Sequence, residues 1–469
     1  MFARSLLLAA GLTLIVGSAA AQPAGDVQQP LLDQVAAQVD QARLEATITH
    51  LVAFGTRHTL SDTVSNTRGI GAARRWVAGE FTAIGVACGG CIVVETPTDM
   101  VSGDRIKTPT QIMDVLAVQR GTTDPDRVIV IAGHLDSRVR DVMDATTDAP
   151  GANDDGSGVA AVMEAARVLS RHKFAATIVY AVLQGEEQGL YGGTLLAKYA
   201  RAQNWRVEAD LNNDIIGNTR GSGGLIDDTH VRIFSEGTKA VETKEQADKR
   251  RYNGGEVDSP SRNLARFLDG LADRYLTNLD AVMVYRTDRF SRGGDQVPML
   301  EAGFPAVRLT ESMEDYTHEH QDVRTENGIN YGDVTAGIDF PYLAQVARLN
   351  IVGLAALAAA PAPAEGVKIE GAVSADTKVS WTAVPGAAAY RVWWRATTDP
   401  QWRYSRQAPG SATSLTLPGV NIDDWFFGVQ SVSADGFAGP VVFPGPAGDF
   451  MSAAPEPAPA APPVKPVKR

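Results

Sequence analysis

The sequence predicts an α/β layered domain followed by a small all-β unit, on two observations. The runs TQIMDVLAVQ, DRVIVIAGH, ATIVYAVLQ and ADLNNDIIG are short, apolar and rich in β-branched residues, as strands covered on both faces must be, and helix-like patterns lie between them. Beyond residue 366 the pattern changes to period-two alternation broken by Gly and Pro turns, in KVSWTAVPGAAAYRVWWRAT, TSLTLPGV and WFFGVQSVSADGFAGP. A chain of 469 residues also exceeds what one hydrophobic core usually holds.

Taken in order, residues 1–21 have a basic residue, an apolar stretch and small residues ending Ser-Ala-Ala-Ala, the order of a secretory signal peptide. That makes a secreted or periplasmic protein the expectation. In an oxidising compartment Cys88 and Cys91, the CGGC pair, are expected to form a local disulfide. Residues 22–360 form the α/β domain. Within it SGVAAVMEAARVLSRH places Val159, Val162, Met163, Ala166 and Leu169 on one helical face, with Ser157 as the expected N-cap. YLAQVARLNIVGLAALAA, entered through Asp339 and Pro341, reads as the closing helix. Residues 361–366 read as a linker, 367–447 as the β-sandwich and 448–469 as a disordered Pro/Ala-rich tail. No run after the signal peptide is expected to be long and apolar enough to cross a membrane.

Composition excludes some functions. Hydrophobic residues at 44% and charged residues at 21% describe an ordinary globular protein. A formal charge of -12 argues against non-specific binding to nucleic acid or to an anionic membrane.

The chemistry gathers at strand ends. ATIVYAVLQ stops at the adjacent Glu186 and Glu187; IVIAGHLDS ends in His134 and Asp136; ADLNNDIIG ends near Asp214; PGANDDGSG carries Asp154 and Asp155. In α/β sheets ligands bind beyond the carboxyl ends of strands, so these acids and the histidine are expected on one rim. His134 and Asp136 are two apart on an extended end and share a face, so the Asp136 carboxylate is expected to accept the second ring N–H of His134 and fix its tautomer. Asp154 also suits a helix cap, and Asp155 a purely structural role.

The ordered motifs GHLDS, PGANDDGSG, GEEQGLYG, NNDIIG and HEHQD resemble the secreted di-zinc aminopeptidases, the bacterial leucyl and double-zinc group of metallopeptidase family twenty-eight. The likeness covers residues 111–322. It implies a three-layer zinc-exopeptidase fold with a mostly parallel mixed sheet, and two zinc ions per chain. His134 and Asp214 would bind one ion, Glu187 and His318 the other; Asp154 would bridge them, and Glu186 would be the general base. HEHQD offers two histidines, and the family's four-residue spacing to an aspartate selects His318 over His320 by counting back from Asp322. The implied activity is removal of amino-terminal residues from peptide or protein substrates, by a hydroxide shared between the ions. Each ion would have one imidazole, one terminal carboxylate and a share of Asp154, which fits the open coordination of catalytic zinc.

The chain departs from that family in places. Gly294, Asp295 and Gln296 stand where a Ser-Asp-His motif is usual, and Thr317 replaces a tyrosine, leaving Tyr316 as a substitute for oxyanion stabilisation. The charged segment SEGTKAVETKEQADKRRYNGGEVD reads as a solvated insertion or a lid. Two alternatives stay open: a one-zinc cyclase or carboxypeptidase on the same scaffold, and a non-catalytic surface-binding protein. The sandwich resembles a fibronectin type III domain, expected to bind a surface, a polysaccharide or a protein.

Overall fold

The computed structural model describes residues 28–450, so the expected signal peptide and nearly all of the expected tail lie outside the described residues. The chain first lays down helices α1 (Pro30–Ala37), α2 (Gln41–Val52) and α3 (Gly69–Ala87). Strand β1 (Ile92–Glu95) precedes a projecting hairpin of β2 (Thr98–Gly103) and β3 (Ile106–Met113). There follow β4 (Val115–Gln119), β5 (Asp124–His134), α4 (Gly156–Leu169), β6 (Ala176–Leu183), α5 (Tyr191–Ala202), β7 (Arg206–Asn213) and β8 (His230–Phe234). The domain finishes with α6 (Lys244–Asn253), α7 (Pro260–Tyr275), β9 (Asp280–Val284), α8 (Gln296–Glu301), β10 (Ala306–Glu311), a small hairpin of β11 (Arg324–Glu326) and β12 (Ile329–Tyr331), and α9 (Phe340–Ala359).

Eight strands form one mixed sheet in the order β1-β4-β6-β5-β7-β10-β8-β9. Its centre is parallel, β5 pairing with β6 and β7, and β7 with β10. Helices cover both faces, which is why these strands are apolar throughout rather than alternating. Ile129, Ile131, Ile178 and Tyr180 face the layer of α1–α4, α7 and α9, while Val128, Val130, Val179 and Ala181 face α5. This is the three-layer architecture expected from the sequence. From β5 the chain moves to β6 on one side and later to β7 on the other. The carboxyl end of β5 is therefore a topological switch point, where a crevice opens.

Three expectations need correction. The N-cap of α4 is Asp155, not Ser157: its carboxylate accepts from Gly158 N–H at 2.9 Å, while Ser157 Oγ donates to Asn153 O. Helix α9 is long and apolar enough to span a bilayer, contrary to the expectation that no such run exists, but it is buried against the sheet. The charged insertion is no lid. It folds into α6, capped by Thr243 and with no buried residue, and none of residues 235–258 lines the cleft described below. Its end turns toward the C-terminal unit, where a Cβ on Gly254 would strike Phe426. Cys88 and Cys91 are disulfide-bonded, as expected.

The C-terminal unit starts at β13 (Glu365–Glu370), inside the segment expected to be a linker. With β14 (Thr377–Thr382), β15 (Ala389–Ala396), β16 (Tyr404–Pro409), β17 (Ser414–Leu417) and β18 (Trp425–Val432) it forms two three-stranded antiparallel sheets, β13-β14-β17 and β16-β15-β18. Trp381, Tyr390, Val392 and Phe427 fill the space between them, and the Tyr390 hydroxyl accepts from Val384 N–H at 2.7 Å.

This unit is fixed to α7. Asp258 accepts from Arg266 at 3.0 Å and from Arg395 of β15 at 2.7 Å, all three side chains being buried; Trp402 Nε1 donates to Asn263. Removing one member of a buried ion pair strands the other's charge, so Asp258→Ala is expected to cost about 3–5 kcal/mol. Urea unfolding checks this, and an unchanged midpoint would mean the two units are not energetically joined here.

Candidate metal centre

Five of the expected residues meet at the carboxyl edge of the sheet. His134 closes β5, Glu186 and Glu187 follow β6, Asp214 follows β7, and Asp154 stands just before α4. His134 Nε2 lies 3.1 Å from Asp154 Oδ1 and 3.8 Å from Asp214 Oδ1. The other oxygen of Asp154, Oδ2, lies 2.9 Å from Nε2 of His320, which is also 3.2 Å from Glu187 Oε1. Asp154 thus turns one oxygen toward each of two imidazoles, and each imidazole has a second carboxylate beside it.

The second imidazole at the site is therefore that of His320, where His318 was expected. Strand-like alternation would aim both rings the same way, but residues 315–320 form turns, and His320 sits in the left-handed region at φ +56°. The two side chains diverge. His318 packs over Gly337, with Nδ1 3.7 Å from Asp315. Ile215 (φ +52°), Leu190 (φ +58°) and Ser291 (φ +58°) adopt the same unfavourable conformation around the site. Such backbone persists where the surroundings over-determine it.

The role expected of Asp136 also changes. The His134 Nδ1–H donates to the main-chain carbonyl of Asp136 at 2.9 Å, while the nearest carboxylate oxygen is 3.7 Å away. The carboxylate instead accepts from the N–H groups of Gly185 (2.8 Å), Glu186 (3.3 Å) and Glu187 (3.2 Å), and from Thr59 Oγ1. Asp136 orients His134 through its backbone and clamps the two-glutamate loop through its side chain. Gly185 makes that loop possible, since the turn out of β6 requires φ +95°.

Several supporting residues escaped the sequence reading. Asp333 accepts from the N–H groups of Asn153 (2.9 Å) and Asp154 (2.7 Å), and burial pushes its carboxyl up to about 7. The buried guanidinium of Arg57 donates to the carbonyls of Leu135, Pro150 and Gly151 and so stitches the β5 exit to the Asp154 loop. Asp155, for which the sequence suggested a structural role, accepts from the N–H groups of His134, Gly158 and Ile215, tying three segments of the rim together. Arg308 Nη1 holds Asp214 Oδ2 at 2.9 Å, and Arg138 Nε holds Glu187 Oε2 at 2.6 Å. In both cases an arginine occupies one carboxylate oxygen, and the other points at an imidazole. Against the cost of its burial, Arg308 keeps Asp214 below the usual carboxylate range. Glu186, partly buried beside Asp214 and Glu187, is pushed well above its ordinary value, chiefly by desolvation.

Asn212 and Asn213 bond inside the protein, to Gln296 and Asn350, rather than toward the site. Asp295 is buried and accepts from Gly193 N–H. Tyr316 stands on the rim, 58% exposed.

The donor set fits zinc. His134 Nε2 and Glu187 Oε1 are buried with no hydrogen-bond partner, although each lies close to a potential ligand neighbour, which is the condition of groups arranged for a cation. Imidazole nitrogens with carboxylate oxygens are the ligands zinc takes in catalytic sites. His134, Asp154 and Asp214 offer ligand atoms within 4.8 Å of one another; Asp154 and His320 form a second such group with Glu319. Glu187 is the better partner for an ion on His320, because its Oε1 lies 3.2 Å from the Nε2 that faces Asp154, whereas Glu319 approaches that ring only at Nδ1, 3.9 Å away.

The profile of Peptidase family M28 matches residues 114–336. A probable zinc metalloprotease of Pyrenophora teres f. teres is 43% identical over 430 residues, covering 90% of this chain and 89% of that protein. A second, from Pyricularia oryzae, is 44% identical over 440 residues, covering 90% and 87%. Among solved structures, the Legionella pneumophila LapA aminopeptidase superposes with a TM-score of 0.51 at 17% identity, covering 76% of this chain and 80% of that one. That likeness speaks for the fold.

Proposed function

The chain belongs to peptidase family M28 and is a zinc metallopeptidase; from that premise we propose that it is an exported two-zinc aminopeptidase. The observation that carries the two-ion reading is Asp154, whose oxygens face His134 on one side and His320 on the other. His134 with Asp214 would hold one ion, and His320 with Glu187 the other. Zinc in such a place lowers the pKa of coordinated water and polarises the scissile carbonyl. The chain's own part is to aim and to move protons. Arg308 and Arg138 keep one oxygen of each terminal carboxylate turned inward. Glu186, on the loop clamped by Asp136, takes the proton of the attacking water and delivers it to the leaving amine. The free amine of the substrate finds a pocket lined with carboxylates. Export is supported by residues 1–21 and agrees with the Cys88–Cys91 disulfide. The C-terminal unit, read as fibronectin type III-like, is proposed to bind a surface, polysaccharide or protein.

Hydrolysis of aminoacyl arylamides should be abolished by a chelator and restored by zinc. Peptides blocked at the amino terminus should be resistant. Release of carboxyl-terminal residues, or full activity with one zinc per chain, would replace this reading with the one-zinc alternative.

A further inference from the structure

A cleft of about 650 Å³ opens over the metal centre, and arginines share its wall with the site carboxylates. Arg105, Arg138, Arg140, Arg289 and Arg292 all line it. Arg289 and Arg292 are compensated, lying against Glu314 and Glu319. Of the other three, Arg138 alone pairs with a carboxylate among the described residues, that of Glu187. Arg105 sits at the tip of the β2–β3 hairpin and, among the described residues, donates only to the main-chain carbonyl of Glu187, at 2.7 Å. Arg140 is exposed and has no hydrogen bond or ion pair among the described residues. Arg138 spans Glu187 and His320 Nδ1. Ligation through His320 Nε2 puts the ring proton on Nδ1, which releases that Arg138 nitrogen for another acceptor.

Charge decides what these arginines are for. Without cations, three arginines face the carboxylates of Asp154, Glu186, Glu187 and Asp214 and are nearly balanced. Two zinc ions, even with a hydroxide between them, would leave the loaded cleft net positive, although the chain as a whole carries -12. A positive cleft in an acidic protein concentrates anions locally, and guanidinium groups match carboxylates geometrically.

Resting on the proposed peptidase reading, we propose that Arg140, with Arg105 and the released face of Arg138, selects substrates carrying a carboxylate near the scissile bond. The carboxylate comes either from an acidic side chain or from the free carboxyl end of a short peptide.

The test uses the zinc-loaded full chain and matched pairs: glutamyl against glutaminyl arylamide, Leu-Glu-amide against Leu-Gln-amide, and Leu-Leu against Leu-Leu-amide. At low salt, at least one carboxylate member should exceed its uncharged mate by about tenfold or more in kcat/KM, the scale of a charge-assisted hydrogen bond. Whichever pair shows it identifies the source of the carboxylate. Arg140→Gln, a change at an exposed residue without partners, should shrink that ratio several-fold through KM and leave the uncharged substrates as they were. Calorimetric binding of Leu-Glu-amide and Leu-Gln-amide to zinc-loaded Glu186→Gln protein, with and without Arg140→Gln, gives the same comparison without turnover. Ratios near one in all three pairs and in binding, or a ratio that Arg140→Gln leaves intact, overturn the proposal. Chelator-sensitive cleavage of neutral substrates with flat ratios would sink this inference and leave the peptidase reading standing; absence of any cleavage would sink that reading instead.

Discussion

Glu186→Gln is expected to lower kcat by about 10²–10⁴-fold, the usual contribution of a positioned general base, while the protein keeps its zinc. The amide is nearly isosteric, so the loop held by Asp136 through the N–H groups of Gly185, Glu186 and Glu187 should stay in place. What disappears is the ability to take a proton. Because the base must be ionised to act, activity in the parent should fall as pH drops through the pKa of Glu186. Burial beside Asp214 and Glu187 raises that pKa, and bound cations oppose the shift. The residual rate of the variant should lack this acid limb. Elemental analysis and a kcat–pH profile check both halves. A variant with near-parental kcat, or one that has lost zinc, would remove the base assignment.

The second large effect separates two histidines that stand two residues apart. His320→Ala should lose the zinc held with Glu187, and with it most activity. It leaves Glu187 Oε1 and Asp154 Oδ2 facing each other's charge with neither imidazole nor cation between them. His318→Ala should retain both ions and most of the parental rate, since His318 packs on Gly337 and approaches only Asp315. Zinc content and kcat/KM of the two variants give the comparison. The reverse pattern would mean that the turn at 315–320 rearranges when metal binds.

That pair also marks where the sequence stops being legible. The sheet could be read because strands covered on both faces must be apolar, and the rim because His134, Glu186, Glu187 and Asp214 stand at the ends of such strands. His320 could not be chosen over His318 by periodicity, because a turn with a left-handed residue has neither a strand's nor a helix's period. Asp136 was singled out with the wrong atom in mind, since spacing places side chains on a face but does not say that a backbone carbonyl will reach the ring first. Arg57, Asp333 and Arg308 leave no local signal. Each is a buried charge whose partners lie far away in the chain, from Leu135 to Arg57, Asp154 to Asp333 and Asp214 to Arg308. The charged segment around α6 gave a clear signal of solvation, but nothing in it told which face of the molecule it would occupy.

Anomalous diffraction at the zinc edge, on crystals of the full chain grown with zinc, tests the central claim most directly. Two peaks are expected, one between His134 and Asp214 and one between His320 and Glu187, with Asp154 reaching both. A single peak, or a second one ligated by His318 or Glu319 in place of His320 and Glu187, would contradict the account.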